Sequence, residues 1–154
     1  MNAKAIIGDP RPRIDQLENK KLGIYNYDED NLYPQRMEVL KASSGTTTRC
    51  IDTYRRFLVG QGFSDKTFWK TKINRSGMIV DAIARKHIRD FALYKGFAFH
   101  FNYNALLQIA EYNYVPFAYC RLCNEGHPGK IAVYDDWGRQ RSRTIKEEDI
   151  DYID

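Results

Sequence analysis

Between Phe91 and Phe97 the apolar residues of this chain change their period, and few folds survive that change. Upstream, Ile79, Val80, Ile83, Ala84, His87, Ile88 and Phe91 recur at helical spacing, with Asp81, Arg85, Lys86, Arg89 and Asp90 on the opposite side. Such a stripe predicts an amphipathic helix over 77–94, with Ser76 as cap and Gly96 as stop. Downstream, Phe97, Phe99, Phe101 and Tyr103 alternate with Ala98, His100, Asn102 and Asn104. Alternation of that kind predicts a strand with one aromatic face. A helix feeding directly into a strand, with more strand signals after it, gives an α+β fold.

The rest of the chain is ordered around that junction. Asp9-Pro10-Arg11-Pro12-Arg13 is incompatible with regular helix, because each proline removes a donor and restricts the residue before it. Residues 1–28 therefore read as an N-terminal arm, with a short strand possible in 20–27. Asp28-Glu29-Asp30-Asn31 forms a polar entry to a first helix at Pro34, where the missing N–H costs nothing. Ser43-Ser44-Gly45 interrupts it, and a Ser or Thr after it can cap a second helix. In that helix Cys50, Tyr54, Phe57 and Leu58 share the apolar spacing, Arg49, Asp52, Arg55 and Arg56 fall outside it, and Gly60 ends it. Residues 64–77 read as an irregular loop packed down by Trp69.

Further strands are expected over 106–114, 117–123 and 130–134, broken at Pro116 and at the turn Glu125-Gly126-His127-Pro128-Gly129. The expected fold is helices followed by an antiparallel β-meander. It divides into an arm (1–28), an α+β domain (29–137) and a charged C-terminal segment (138–154).

Composition narrows the function classes. Residues 1–104 carry 18 basic and 11 acidic side chains, and residues 105–154 carry 6 and 9, so a front half at +7 precedes a tail at −3. A basic half permits contact with phosphate-rich partners, through Arg49, Arg55, Arg56, Arg85, Lys86 and Arg89. A solvated helix face explains the same residues, and no nucleic-acid-binding motif accompanies them. Eleven Tyr and eight Phe supply material for core and for interfaces. Three cysteines make no disulfide framework, and no apolar run approaches the ~18–20 residues of a membrane span. With no signal-peptide core at the N-terminus, a reducing cytosol is the simplest compartment.

Residues with catalytic potential lack partners. Cys120 and Cys123 with His127 have the spacing of a zinc half-site, but the segment reads as a strand, and structural cysteines explain it better. His87 lies on the apolar side of its helix, and no Ser or Cys pairs with a histidine in a nucleophile motif. Gly60-Gln61-Gly62 is too short for a phosphate loop, and Asp135-Asp136 reads as a solvated turn. No enzyme activity, metal or other cofactor is expected.

One resemblance points to a role. Asn31-Leu32-Tyr33-Pro34, the helix 46–59 running into Leu58-Val59-Gly60-Gln61-Gly62-Phe63, the helix 79–94, and Tyr94-Lys95-Gly96-Phe97-Ala98-Phe99-His100 follow one another as in the peripheral wing of tailed-bacteriophage portal proteins. The pattern covers residues 30–137. Portal subunits are several times longer, so this chain resembles their N-terminal portion, and no DNA-channel residue is assigned in it. The resemblance implies a structural subunit in a ring of about twelve copies at the capsid vertex. It implies docking to capsid, packaging-motor and tail proteins, indirect contact with double-stranded DNA, and residence in the virion and, during assembly, in the host cytoplasm. Tyr25, Tyr27, Tyr33, Phe97, Phe99, Phe101 and Tyr103 would then serve subunit interfaces. The other reading is a small nucleic-acid-binding or adaptor module working through its basic helices.

Overall fold

A computed structural model describes residues 17–138 and 145–153. The proline-rich Asp9–Arg13 stretch, and residues 139–144 and 154 of the charged C-terminal segment, lie outside the described residues.

Four helices form where local chemistry starts and stops them. α1 (Tyr33–Ser43) has Pro34 in its first turn. One residue separates it from α2 (Gly45–Val59), and that residue, Ser44, accepts from the Thr47 N–H at 3.2 Å. Gly60, at φ 53°, closes α2. The loop that follows holds a one-turn helix, α3 (Lys66–Trp69), capped by the Asp65 carboxylate on the N–H groups of Thr67 and Phe68. Trp69 does pack this corner: its indole donates to the Phe63 carbonyl and sits so close to Gly62 that a Cβ there would lie 2.0 Å from the ring.

α4 (Val80–Tyr94) buries Val80 and Ile83 of the expected stripe and leaves Ile79, Ala84, His87, Ile88 and Phe91 half-buried. Ala92, Leu93 and Tyr94 at its end are buried too. So is Asp90, expected on the opposite side, because its carboxylate finds partners in Tyr114 and Phe117. Its ends differ from expectation. Ile79, not Ser76, precedes the first turn, and no side chain caps it. Lys95, not Gly96, takes the left-handed conformation, at φ 62°. Gly96 is needed for another reason: a Cβ there would meet the Phe117 ring at 2.7 Å.

The fold is α+β, but its strands are neither all after the helices nor one meander. β1 (Leu17–Asn19) and β2 (Ile24–Asn26) form a hairpin before α1. β3 (Ala98–Tyr103) and β4 (Ile109–Val115) form a second hairpin, whose turn, 104–108, takes in the start of the strand expected over 106–114. β5 (Cys120–Leu122), β6 (Ile131–Val133) and β7 (Asp151–Ile153) make a three-stranded antiparallel sheet in that order. The meander breaks at Pro116, which has no N–H to continue the ladder, and at the 3₁₀ turn Phe117–Tyr119, expected as strand.

The core explains how the pieces join. Leu22, Ile24, Ala132, Trp137, Ile145 and Ile150 are buried together. These residues come from the N-terminal hairpin, from β6 and from the C-terminal stretch, so residues 17–26 and 145–153 belong to one core with the central region. An antiparallel bridge between Ile24 and Cys123, and the Tyr152 hydroxyl donating to the Leu22 carbonyl at 2.9 Å, fix that arrangement.

Candidate functional site

Of the six basic residues placed on helix faces, three are neutralised within the chain. Arg85 forks onto Asp81 at 2.8 Å, Arg89 reaches Glu38 at 3.1 Å, and Arg55 lies 3.8 Å from Asp52. Lys86 lies over the Tyr114 ring, 5.0 Å from its centroid. Arg49 and Arg56 are exposed on α2. Three of the six are thus paired with carboxylates of the same chain. Exposed pairs of this kind add little stability, but they do reduce the charge offered to phosphate.

The interface aromatics divide into two groups. Tyr27 is turned inward, stacked on Phe117 and beneath the Arg121 guanidinium, and Tyr25 is half-buried. Phe97, Phe99 and Phe101 gather with Tyr112 around His87, with ring centroids 5.0 to 6.4 Å apart. Phe97, Phe99 and Tyr103 keep one side in solvent, as does Tyr33. The Tyr112 hydroxyl meets His87 Nδ1 at 3.3 Å, and burial lowers the His87 pKa, so its imidazole is neutral at pH 7.

Two polar constructions fix the frame behind these surfaces. Asp90, buried in α4, accepts from the Tyr114 hydroxyl at 2.8 Å and from the Phe117 N–H at 3.1 Å. Glu38 of α1 accepts from Tyr94 at 2.9 Å as well as from Arg89. Both carboxylates line a cleft of about 510 Å³ between α1, α4 and residues 114–119. Their hydrogen bonds tie α1 to α4 and α4 to residues 114–117 across this cleft. Burial, reinforced by these acceptors, raises the pKa of both tyrosines above the ordinary phenol value.

Arg121 in β5 is the second construction, and no sequence motif announced it. The side chain is fully buried between the rings of Tyr27 and Trp137, at 4.6 and 4.8 Å. It donates to the carbonyls of Asn31, Ala118 and Cys120 and to the Asn31 side chain. Burial draws its pKa down to about 10, which leaves it charged at neutral pH.

The cysteines are all free thiols. Cys120 is buried, donates to the Pro116 carbonyl, and has its pKa pushed up to about 12 by burial. A thiol held protonated is a poor zinc ligand. His127 stacks on Tyr152 and meets Glu147 instead. Among the described residues no group of three or more His, Cys, Asp or Glu could hold a metal ion. Nor is any helix among them long and apolar enough to cross a membrane.

The least expected surfaces are apolar. On α2 Ile51 and Val59 are half-buried and Cys50 and Phe57 face solvent, while Tyr54 and Leu58, expected on the apolar side, are as exposed as Asp52 and Arg55, so the inward face is rotated from the expected one. Phe57 is 80% exposed. Periodicity states which residues share a face; packing against α1 and α4 decides which face turns inward. The tip of the β3–β4 hairpin presents a second patch, with Leu106 77% and Leu107 84% exposed and Ile109 and Tyr103 beside them. The signal in the sequence was two adjacent leucines within a turn, where polar residues are the rule.

No protein-family model, curated protein or solved structure matches this chain.

Proposed function

We propose that this chain is a structural assembly subunit of the phage-portal type, corresponding to the wing-forming N-terminal portion of such a protein. The observation that carries the reading is the pair of solvent-facing apolar patches on α2 and on the β3–β4 hairpin tip, held on a braced frame. Apolar patches beyond a few hundred Å² are uncommon on monomers and mark interaction surfaces. The order of segments from Asn31 to His100 supports the portal assignment in particular. On this reading the chain is not an enzyme, works in the virion and in the host cytoplasm during assembly, and meets DNA only through the assembled ring. Capsid, packaging-motor and tail proteins are its other partners.

Native mass spectrometry of the purified chain at high concentration, with negative-stain images of the same sample, tests this. Closed rings of about a dozen copies are expected. A monomer that binds duplex DNA with affinity falling steeply with salt would overturn it in favour of a nucleic-acid-binding module.

A further inference from the structure

The β3–β4 turn is built to hold its leucines outward. Asn104 Oδ1 accepts from both Leu106 N and Gln108 N at 2.9 Å, and Asn104 N donates to Gln108 O at 2.9 Å. Leu107 sits at φ 59°, in the left-handed region where Gly or Asn would be at ease. A leucine kept there, almost wholly in water, carries backbone strain and apolar exposure together. The turn's hydrogen bonds, Leu107 N to Asn104 O at 2.9 Å among them, hold the backbone there, but the leucine side chain stays 84% exposed, and that exposure points to a use outside the chain.

The second patch is concave. Arg49, Cys50, Thr53, Tyr54 and Phe57, along one side of α2, line a groove of about 420 Å³. A protruding apolar tip and an apolar groove on different elements of one molecule are the two halves of a heterologous contact, the kind that builds rings when its rotation closes. Four tip residues at these exposures offer on the order of 500 Å². Seated on an equal area, they would bury about 1,000 Å², the lower bound for a specific interface.

We infer that the Leu106–Leu107 tip of one copy docks in the α2 groove of a second copy, head to tail. This inference rests on the assembly reading above and names the surfaces that would carry it.

Cys50 lies in the groove and is exposed, which supplies a direct test. Leu107→Cys is introduced in the otherwise native chain, the sample is oxidised mildly with diamide, and the cross-linked peptides are identified. The expected product joins position 107 of one copy to Cys50 of another, and Cys50→Ser removes it. A 107-to-107 link, a link to another cysteine, or no link would overturn the inference. In parallel, Leu107→Asn keeps the left-handed turn and deletes the apolar knob. It should weaken self-association about tenfold or more, with unchanged circular dichroism. Unaltered association would again overturn the docking. The two proposals fail separately. Rings without the 107–50 link leave the portal reading and remove this one, while linked chains that never close into rings do the reverse.

Discussion

Arg121 donates from Nη2 to the main-chain oxygen of Asn31 at 2.7 Å and from Nε to the Asn31 side-chain oxygen, tying β5 to the loop before α1 across 90 residues of sequence. Asn31 is fully buried at φ 58°, and its side-chain oxygen also accepts from the Tyr27 N–H at 3.0 Å. A planar fork with donors on several sides suits this pocket, and an ammonium does not. Arg121→Met should therefore cost about 3 kcal/mol, because it leaves buried carbonyls of Asn31 and Cys120 without donors. Arg121→Lys should recover only part of that loss. Urea denaturation of both variants checks the ranking; Lys matching wild type would mean that charge, not fork geometry, is what the site needs.

The Asp90 clamp yields a graded series. Asp90→Ala strands the Tyr114 hydroxyl and the Phe117 N–H and should destabilise by about 2–4 kcal/mol. Asp90→Asn keeps one acceptor oxygen and should cost less, while Tyr114→Phe should cost about 1 kcal/mol. In a double-mutant cycle the Asp90 and Tyr114 changes should be less than additive. Additivity would show that the 2.8 Å contact contributes nothing in solution.

His87 makes stability depend on pH in a stated direction. Burial lowers its pKa in the folded chain below the ordinary imidazole value, with the backbone at Ala98 and the nearby Asp90 opposing the shift. Tyr112 and Tyr114 face it from β4, Phe97 and Phe99 from the start of the β3 hairpin, and none of them carries charge at neutral pH. The unfolded chain therefore binds the proton more readily than the folded one. The stability held above the unfolded pKa is lost as pH falls through and below it. Thermal melts from pH 7.5 down to pH 5 should show a decline that is shallower in His87→Phe. An equal slope in both proteins would place the pH dependence elsewhere.

How much of this was legible in sequence follows from how local each contact is. The change of period before Phe97 and the Gly60 stop are set within a few residues, and the structure keeps them. The pairing of β6 with β7 and the seating of Ile24 against Cys123 join distant segments, and nothing in a three-residue strand names its partner. The rotated face of α2 has the same origin: Ile51 and Val59 compete with Tyr54 and Phe57 for the interior, and only the position of α1 and α4 decides between them. Arg121 escaped notice because a buried cation held by carbonyls and rings leaves no charge pattern along the chain.

Leu107 gives the prediction that separates folding from assembly most sharply. Glycine in its place relieves the left-handed strain at φ 59°, worth about 1 kcal/mol, and removes an apolar side chain that touches mainly water. Glycine also adds freedom to the unfolded chain, which offsets part of that gain. Leu107→Gly should therefore melt at or slightly above the wild-type temperature while self-associating less. Phe57→Glu, on the groove side, should also leave the melt nearly unchanged, since that ring is mostly in solvent. Mixed together, the two variants keep one intact tip and one intact groove between them, so a head-to-tail contact predicts 1:1 pairs that grow no further. Sedimentation velocity on the mixture reads this directly. A mixture as monomeric as its components would mean that tip and groove do not meet.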